Sequence, residues 1–326
     1  MSPETIWYRG HWLTYLLLPL SWVYCAVIAA RRLAYRRGWL ASVRLSVPVI
    51  VVGNLTVGGT GKTPLVLWLA AFLRRQGFRP GIVLRGYGGK ATDWPRRVQP
   101  QGDPRELGDE AVLHARRGIC PVAAGPDRVA ASRLLLDRVG CDIIVCDDGL
   151  QHYRLERDLE ILVVDASRGF GNGHCLPAGP LREPASRALQ IPLKVCSGGP
   201  CPGGGEMDLV PGLLTNLHDP SLTGPLAGLA GARVTAVAGI GNPERFFALL
   251  RRHGLQVDER LYPDHYGFRA EDAASWPEGP VVMTEKDAVK CLPFARPNHW
   301  YLPVEAVLTI GFERQLSEQL KGVIDG

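Results

Sequence analysis

The sequence predicts an α/β fold in three parts: an N-terminal membrane-associated helix with a basic flank (1–45), a parallel-sheet domain with helices on both faces (46–225), and a second, smaller α/β domain (226–326). Three observations predict it. Short β-branched runs alternate with helical stretches, which is the rhythm of a parallel sheet covered on both sides. A glycine-rich segment stands between one such strand and the helix after it. An uncharged run of 19 residues, Trp12–Ala30, precedes all of this.

As a helix, that run is roughly 28 Å long, close to the ~30 Å of a bilayer's hydrocarbon core. Trp12, Tyr15, Trp22 and Tyr24 supply rings suited to a membrane interface, and Arg31, Arg32, Arg36, Arg37 and Arg44 follow. A secretory signal carries its basic residues before the apolar run, so the order here argues against one. A buried core helix is disfavoured by the arginine cluster, which suits anionic headgroups. A spanning helix and a helix lying in the interface stay open, since Pro19 falls mid-run and predicts a kink. Either places the body of the chain on the cytoplasmic face.

In the body, strands are expected at Val47–Val52, Gly81–Leu84, Cys120–Ala124, Asp142–Cys146 and Leu159–Asp165, with Ile191–Cys196 as the last of the first sheet. Helices are expected at Pro64–Arg75, Asp109–Arg117 and Pro126–Val139. Ser197–Glu206 (SGGPCPGGGE) breaks the pattern. The rhythm restarts with strands at Val234–Ala238, Pro280–Thr284 and Trp300–Pro303, a helix at Pro243–His253 and a closing helix at Phe312–Val323. The site is expected in the cleft between the two domains.

Composition narrows the class. With 46% apolar residues in 326, the chain is long enough to bury two cores and is not disordered. A net charge of +5 does not point to nucleic acid. The 8 cysteines lack zinc-knuckle spacing, and Cys25, Cys120, Cys141, Cys146 and Cys196 read as buried thiols.

The sharpest chemical signal is Gly53–Thr63, GNLTVGGTGKT, between a strand and a helix. This is the context of a phosphate-binding loop, or P-loop. Gly58, Gly59 and Gly61 let backbone N–H groups around Thr60 turn toward one phosphate chain, and the helix start adds its positive end. Lys62 is placed to bridge the β- and γ-phosphates, and the Thr63 hydroxyl to meet Mg²⁺. The general pattern asks for glycine where Thr56 stands; the remaining context outweighs that departure, and the competing reading is a glycine-rich turn without ligand. Downstream, Cys141–Asp148 (CDIIVCDD) is an apolar strand ending in paired acids. A carboxylate there points into the ligand crevice, so Asp147 or Asp148 is expected to hold Mg²⁺ opposite Thr63. The competing reading of the acid pair is a solvated turn.

These segments resemble the tetraacyldisaccharide 4'-kinases, the lipid A 4'-kinases of Gram-negative bacteria. The resemblance runs nearly the whole chain: the apolar N-terminus, GNLTVGGTGKTP, LRGYGG at Leu84–Gly89, GDE at Gly108–Glu110, CDDGLQH at Cys146–His152, LPAGPLREP at Leu176–Pro184, DHY at Asp264–Tyr266 and TEKDAVK at Thr284–Lys290. It implies ATP-driven phosphorylation of the 4'-hydroxyl of a tetraacylated glucosamine disaccharide 1-phosphate, making lipid IVA at the cytoplasmic face of the inner membrane. It also implies two α/β/α domains joined by a β-ribbon, with ATP and Mg²⁺ as cofactors and a monomeric enzyme working on a lipid-linked substrate.

On spacing alone Asp109 reads as a helix N-cap and His265 as a loop histidine. The resemblance turns both toward catalysis, with Asp109 as the base and His265 paired to it. Arg85, Arg128, Arg182 and Glu183 are expected near the acceptor, its phosphate or the metal; ordinary ion pairs are the competing reading. Lys286 and Asp287 are adjacent, not in the Lys-x-Asp spacing that reads guanine, which favours ATP over GTP. The alternative function is a membrane-associated ATPase switch. Val57, where such switches carry a second lysine, argues against it.

Overall fold

The structure is a computed structural model that describes residues 3–324. In chain order its strands are β1 (Val49–Gly53), β2 (Pro80–Leu84), β3 (Arg96–Val98), β4 (Val122–Ala124), β5 (Ile143–Asp147), β6 (Leu159–Asp165), β7 (Leu193–Ser197) and β8 (Gly205–Pro211), then β9 (Leu214–Asn216), β10 (Thr223–Gly224), β11 (Arg233–Ala238), β12 (Gln256–Leu261), β13 (Val281–Thr284) and β14 (His299–Leu302), and finally β15 (Val304–Leu308). They form one nine-stranded sheet, β15-β8-β7-β6-β1-β5-β2-β4-β3, and one six-stranded sheet, β10-β9-β14-β13-β11-β12. The first is parallel from β8 to β4, with β15 and β3 antiparallel at its edges.

Strand β1 lies at the centre and shows why both faces are covered. Its alternate side chains face opposite ways. Ile50 and Val52 pack with Leu65, Leu69 and Leu73 of the helix Lys62–Arg75, while Val49 and Val51 pack with Leu135 of the helix Arg128–Val139 on the other side. All five residues of β1, β2 and β5 are buried, as a continuous apolar run in a covered parallel sheet requires. Their C-terminal ends therefore open on one crevice.

The end of the first unit differs from expectation. Strand β7 is not the last of its sheet: β8 follows the glycine-rich break and pairs parallel with it. The second sheet begins at Leu214, ahead of the expected boundary at Leu226, and β15 returns to pair antiparallel with β8. The closing helix Ile310–Ile324 then buries Phe312, Leu316 and Leu320 in the core of the first sheet, so the C-terminus belongs to the first unit. The antiparallel pair β8–β15 is the ribbon that carries the chain out and back. Six strands were missed, β3, β8, β9, β10, β12 and β15: β8 is hidden behind the breaker residues, β12 (QVDERL) is an exposed edge strand without apolar alternation, and β3, β9 and β10 are only two or three residues long. Cys196, expected as a free thiol, is bonded to Cys201.

The N-terminal helix Leu13–Arg36 lies along the first unit. Ser21 Oγ donates to the Cys175 carbonyl at 2.8 Å and Tyr24 Oη to the Arg182 carbonyl at 3.1 Å. Its other side exposes Tyr15, Leu16, Leu20, Trp22, Val23 and Val27. By length and composition the helix is apolar enough to cross a membrane.

Candidate active site

The loop after β1 closes on itself around Asn54, which is fully buried. Asn54 Nδ2 reaches the Gly58 carbonyl at 3.4 Å, and its Oδ1 accepts from Lys62 Nζ at 3.2 Å. Gly58 and Gly61 adopt φ of +109° and +88°, which a side chain would strain. Gly59 faces the second unit so closely that a Cβ on Gly241 would lie 2.6 Å from its backbone nitrogen. The Thr60 hydroxyl is buried without a partner among the described residues. Lys62 and Thr63 open the helix Lys62–Arg75, so their side chains stand at its positive end.

Both acids at the end of β5 are brought to this loop, but they differ in surroundings. Asp147 is buried; its Oδ2 lies 2.8 Å from His114 Nε2, and its Oδ1 is buried with no partner among the described residues. Asp148 adopts φ +51° and receives Arg182 Nη1 on both oxygens, at 2.9 and 2.8 Å, with Lys62 Nζ at 3.7 Å. Burial pushes the Asp148 carboxyl up, yet Lys62 and Arg182 together hold it down at about 2. No group of three His, Cys, Asp or Glu side chains able to hold a metal occurs among the described residues. The Thr63 hydroxyl and the orphaned Asp147 oxygen, on two residues that line the cleft, are nevertheless donors of the kind Mg²⁺ takes, because it needs few protein ligands and completes its shell with phosphate oxygens and water.

Of the residues expected near the acceptor, Arg85, Arg128 and Arg182 line the cleft. Glu183 does not, and that expectation is corrected. It is buried, accepts from Gln151 Nε2 at 2.9 Å and from the Tyr153 hydroxyl, and sits 3.9 Å from Arg187 Nε. A carboxylate so engaged braces the 181–184 segment from beneath.

Across the cleft, Asp109 and His265 meet although they are 156 positions apart. Both Asp109 oxygens lie 3.0 Å from His265 Nδ1. Gly108, not Asp109, occupies the N-cap of the helix Asp109–Arg117. Asp109 sits one layer behind the cleft wall, which is formed here by Glu110, Asp264, His265 and Lys286. Burial raises the Asp109 carboxyl, but the His265 hydrogen bond, Lys286 and Lys290 bring it down to about 2. Burial disfavours a charge on His265 and Asp109 favours one; the net effect raises the imidazole above its ordinary value. Asp148 and His265 are the non-glycine residues with positive φ among the described residues, and both lie in this site.

Sequence reasoning missed Asn54, His114, Glu110 and Tyr87, whose ring centroid is 4.8 Å from that of His265. Asn54, Glu110 and Tyr87 stand inside motifs already singled out, so closeness to Lys62, Asp109 and Arg85 was a usable signal. His114 carried none, because its contact with Asp147 spans 33 positions.

The whole forms one cleft of about 1260 Å³ between the two units. Its lining includes the phosphate loop, both β5 acids and His265, and also Tyr24, Ile28 and Arg31 of the N-terminal helix.

Residues 13–321 match the family described as Tetraacyldisaccharide-1-P 4'-kinase. The chain is 51% identical to a tetraacyldisaccharide 4'-kinase of Nitrosococcus oceani, over 97% of this chain and 93% of that one. It is 53% identical to that of Alkalilimnicola ehrlichii, over 90% and 89%. A crystal structure of LpxK from Aquifex aeolicus in complex with ATP is similar at a TM-score of 0.80 and 31% identity, covering 95% of this chain and 99% of that one.

Proposed function

The chain belongs to the tetraacyldisaccharide-1-P 4'-kinase family over nearly its whole length, and from that premise we propose that it moves the γ-phosphoryl group of ATP to the 4'-hydroxyl of a tetraacylated disaccharide 1-phosphate. The observation that carries the reading is the shared cleft. A phosphate loop and an exposed apolar helix line one space, so a lipid acceptor and a nucleotide can meet there.

Phosphoryl transfer is mostly positioning and charge stabilisation. The backbone N–H groups of Gly58–Gly61 and the ammonium of Lys62 hold the phosphates. Thr63 and Asp147 would hold Mg²⁺, which when bound would neutralise charge on the phosphates, and His114, hydrogen-bonded to Asp147 Oδ2, would leave Oδ1 free for it. Asp148 orients Lys62 and Arg182. The acceptor's proton passes to the Asp109–His265 pair. Such closely coupled groups titrate as a unit, so the proton belongs to the pair. A weak base suffices, because in a loose transition state the attacking hydroxyl keeps its proton until late. Arg85 and Arg128 at the cleft wall suit the acceptor's phosphate or the phosphates of ATP.

The N-terminal helix lies in the membrane interface and does not span it. One side is hydrogen-bonded to the body of the enzyme through Ser21 and Tyr24, while Trp22, Val23 and Val27 face outward. Arg31, Arg32, Arg36 and Arg37 then meet the anionic headgroups of the cytoplasmic leaflet of the inner membrane.

The test is transfer from radiolabelled ATP, with Mg²⁺, to a tetraacylated disaccharide 1-phosphate in detergent micelles. Labelled lipid is expected with the native enzyme and not with Lys62→Ala. ATP hydrolysis that ignores the acceptor, with no labelled lipid, contradicts the proposal and favours a switch ATPase.

A further inference from the structure

The TEKDAVK segment has no part in the mechanism above, yet it supplies the closest cation to the proton-accepting pair. Lys286 opens toward the cleft from the helix Glu285–Cys291 of the second unit. Its Nζ lies 3.1 Å from Glu110 Oε1, 3.3 Å from Asp264 Oδ1 and 3.3 Å from His265 Nε2. The two carboxylates keep it an ammonium, although burial opposes the charge.

An ammonium only donates, and an ionised carboxylate only accepts. Lys286 therefore requires a bare Nε2, and Asp109 requires a proton on Nδ1. The opposite tautomer would set an N–H against the ammonium and a lone pair against the carboxylate. We infer that Lys286 is a positioning residue for phosphoryl transfer: it holds His265 as the neutral, Nδ1-protonated imidazole, so that the Asp109–His265 pair has room for one further proton. This rests on the reading of that pair as the proton acceptor. The step balances: the acceptor's O–H bond breaks, its electrons form the new O–P bond, the P–O bond to ADP breaks, and the proton goes to His265 Nε2, where it displaces the Lys286 hydrogen bond and leaves that ammonium on Glu110 and Asp264.

The groups facing His265 fix the sign of the effect. Asp109 and, at 3.8 Å, Asp264 favour its protonation. Lys286 opposes it, and the Tyr87 ring packs beside the imidazole. Lys290 stands behind Asp109 at 3.7 Å, and Glu110 lies on the far side of Lys286. Removing Lys286 therefore lets the imidazole protonate at higher pH.

Nitrogen NMR of the intact enzyme with labelled histidine, together with kinetics, tests this. In the native enzyme His265 is expected to show a protonated Nδ1 and a bare Nε2 once neutral. In Lys286→Met the acid limb of kcat moves to higher pH, kcat at neutral pH drops about tenfold or more, and KM for ATP stays put. Lys286→Arg restores most of kcat. A native His265 carrying its proton on Nε2 overturns the inference, and that spectrum decides even if the variants do not fold. An unchanged pH profile and kcat in Lys286→Met overturn it as well. His265→Ala and Asp109→Asn are run beside it. Full turnover in those two sinks the reading of the pair itself; loss there with normal Lys286→Met sinks only the role of Lys286.

Discussion

The phosphate side of the cleft and the proton side are built in different ways. On the phosphate side, the loop leaves β1 and the two acids end β5; these strands are neighbours, with Val52 in register with Asp147. The groups proposed to grip phosphate thus come from one sheet. On the proton side, Asp109 comes from the first unit, while His265, Lys286 and Lys290 come from the second. That site exists only when the two units meet. Arg117 and Glu285, 2.7 Å apart and largely buried, are among the contacts that hold them together. The difference implies that nucleotide binding and proton removal are separable properties of this enzyme.

The largest effect that sharpens the comparison falls on the phosphate side. Lys62→Ala removes a cation from the transferring group and should cut lipid phosphorylation by roughly 10³-fold, read by label transfer. A loss of only a few-fold would mean that the loop does not work as argued.

The membrane face should be independent of both sides. Trp22→Ser with Val27→Ser removes two exposed apolar side chains, each contributing about 1.5 kcal/mol or more when buried in lipid. Binding to anionic vesicles in sedimentation should fall about a hundredfold, with ATP affinity unchanged. Unaltered vesicle binding would show that another surface meets the membrane.

The pH dependence of the proton side carries two opposite signs. His265 is raised by Asp109 above the ordinary histidine value of about 6.5. Its charged pairing stabilises the fold fully below that ordinary value and is lost as pH rises through the raised one. Turnover needs the neutral imidazole, so kcat should fall as pH drops through the raised value. Stability, followed by thermal unfolding, should lose the pair's contribution over the same interval as pH rises. Parallel changes in kcat and stability would break the argument.

The smallest effect on chemistry is expected beneath the phosphate side. Glu183→Ala takes the acceptor from Gln151 Nε2 and the Tyr153 hydroxyl, while Arg187 keeps Glu160, and should destabilise the enzyme by about 2 kcal/mol, read in denaturant unfolding. KM for ATP should hardly move, because Glu183 does not line the cleft. A large rise in KM would restore the ligand role that the sequence suggested.

The same contrast explains what could be read in the sequence. The phosphate loop and the β5 acids were legible because each combines a chemical pattern with a buried strand that aims it. The central strands were legible because burial on both faces leaves continuous apolar runs. Strand β12 and the return of β15 to the first sheet were not. The first has an exposed, polar pattern, and the second depends on pairing with β8, where Val304 meets Pro211, 93 positions earlier. Asp109 and His265 became legible only through resemblance, since spacing alone makes one a cap and the other a loop residue. Glu183 was misassigned because its motif neighbour Arg182 does reach the cleft, and adjacent side chains there point to opposite sides.

The most direct test of separability is a paired measurement on Asp109→Asn: ATP affinity by calorimetry and kcat for lipid phosphorylation on the same preparation. The account predicts ATP affinity within about twofold of native and kcat lower by roughly 10²–10⁴-fold. Near-native kcat, or ATP affinity lost along with turnover, would contradict it.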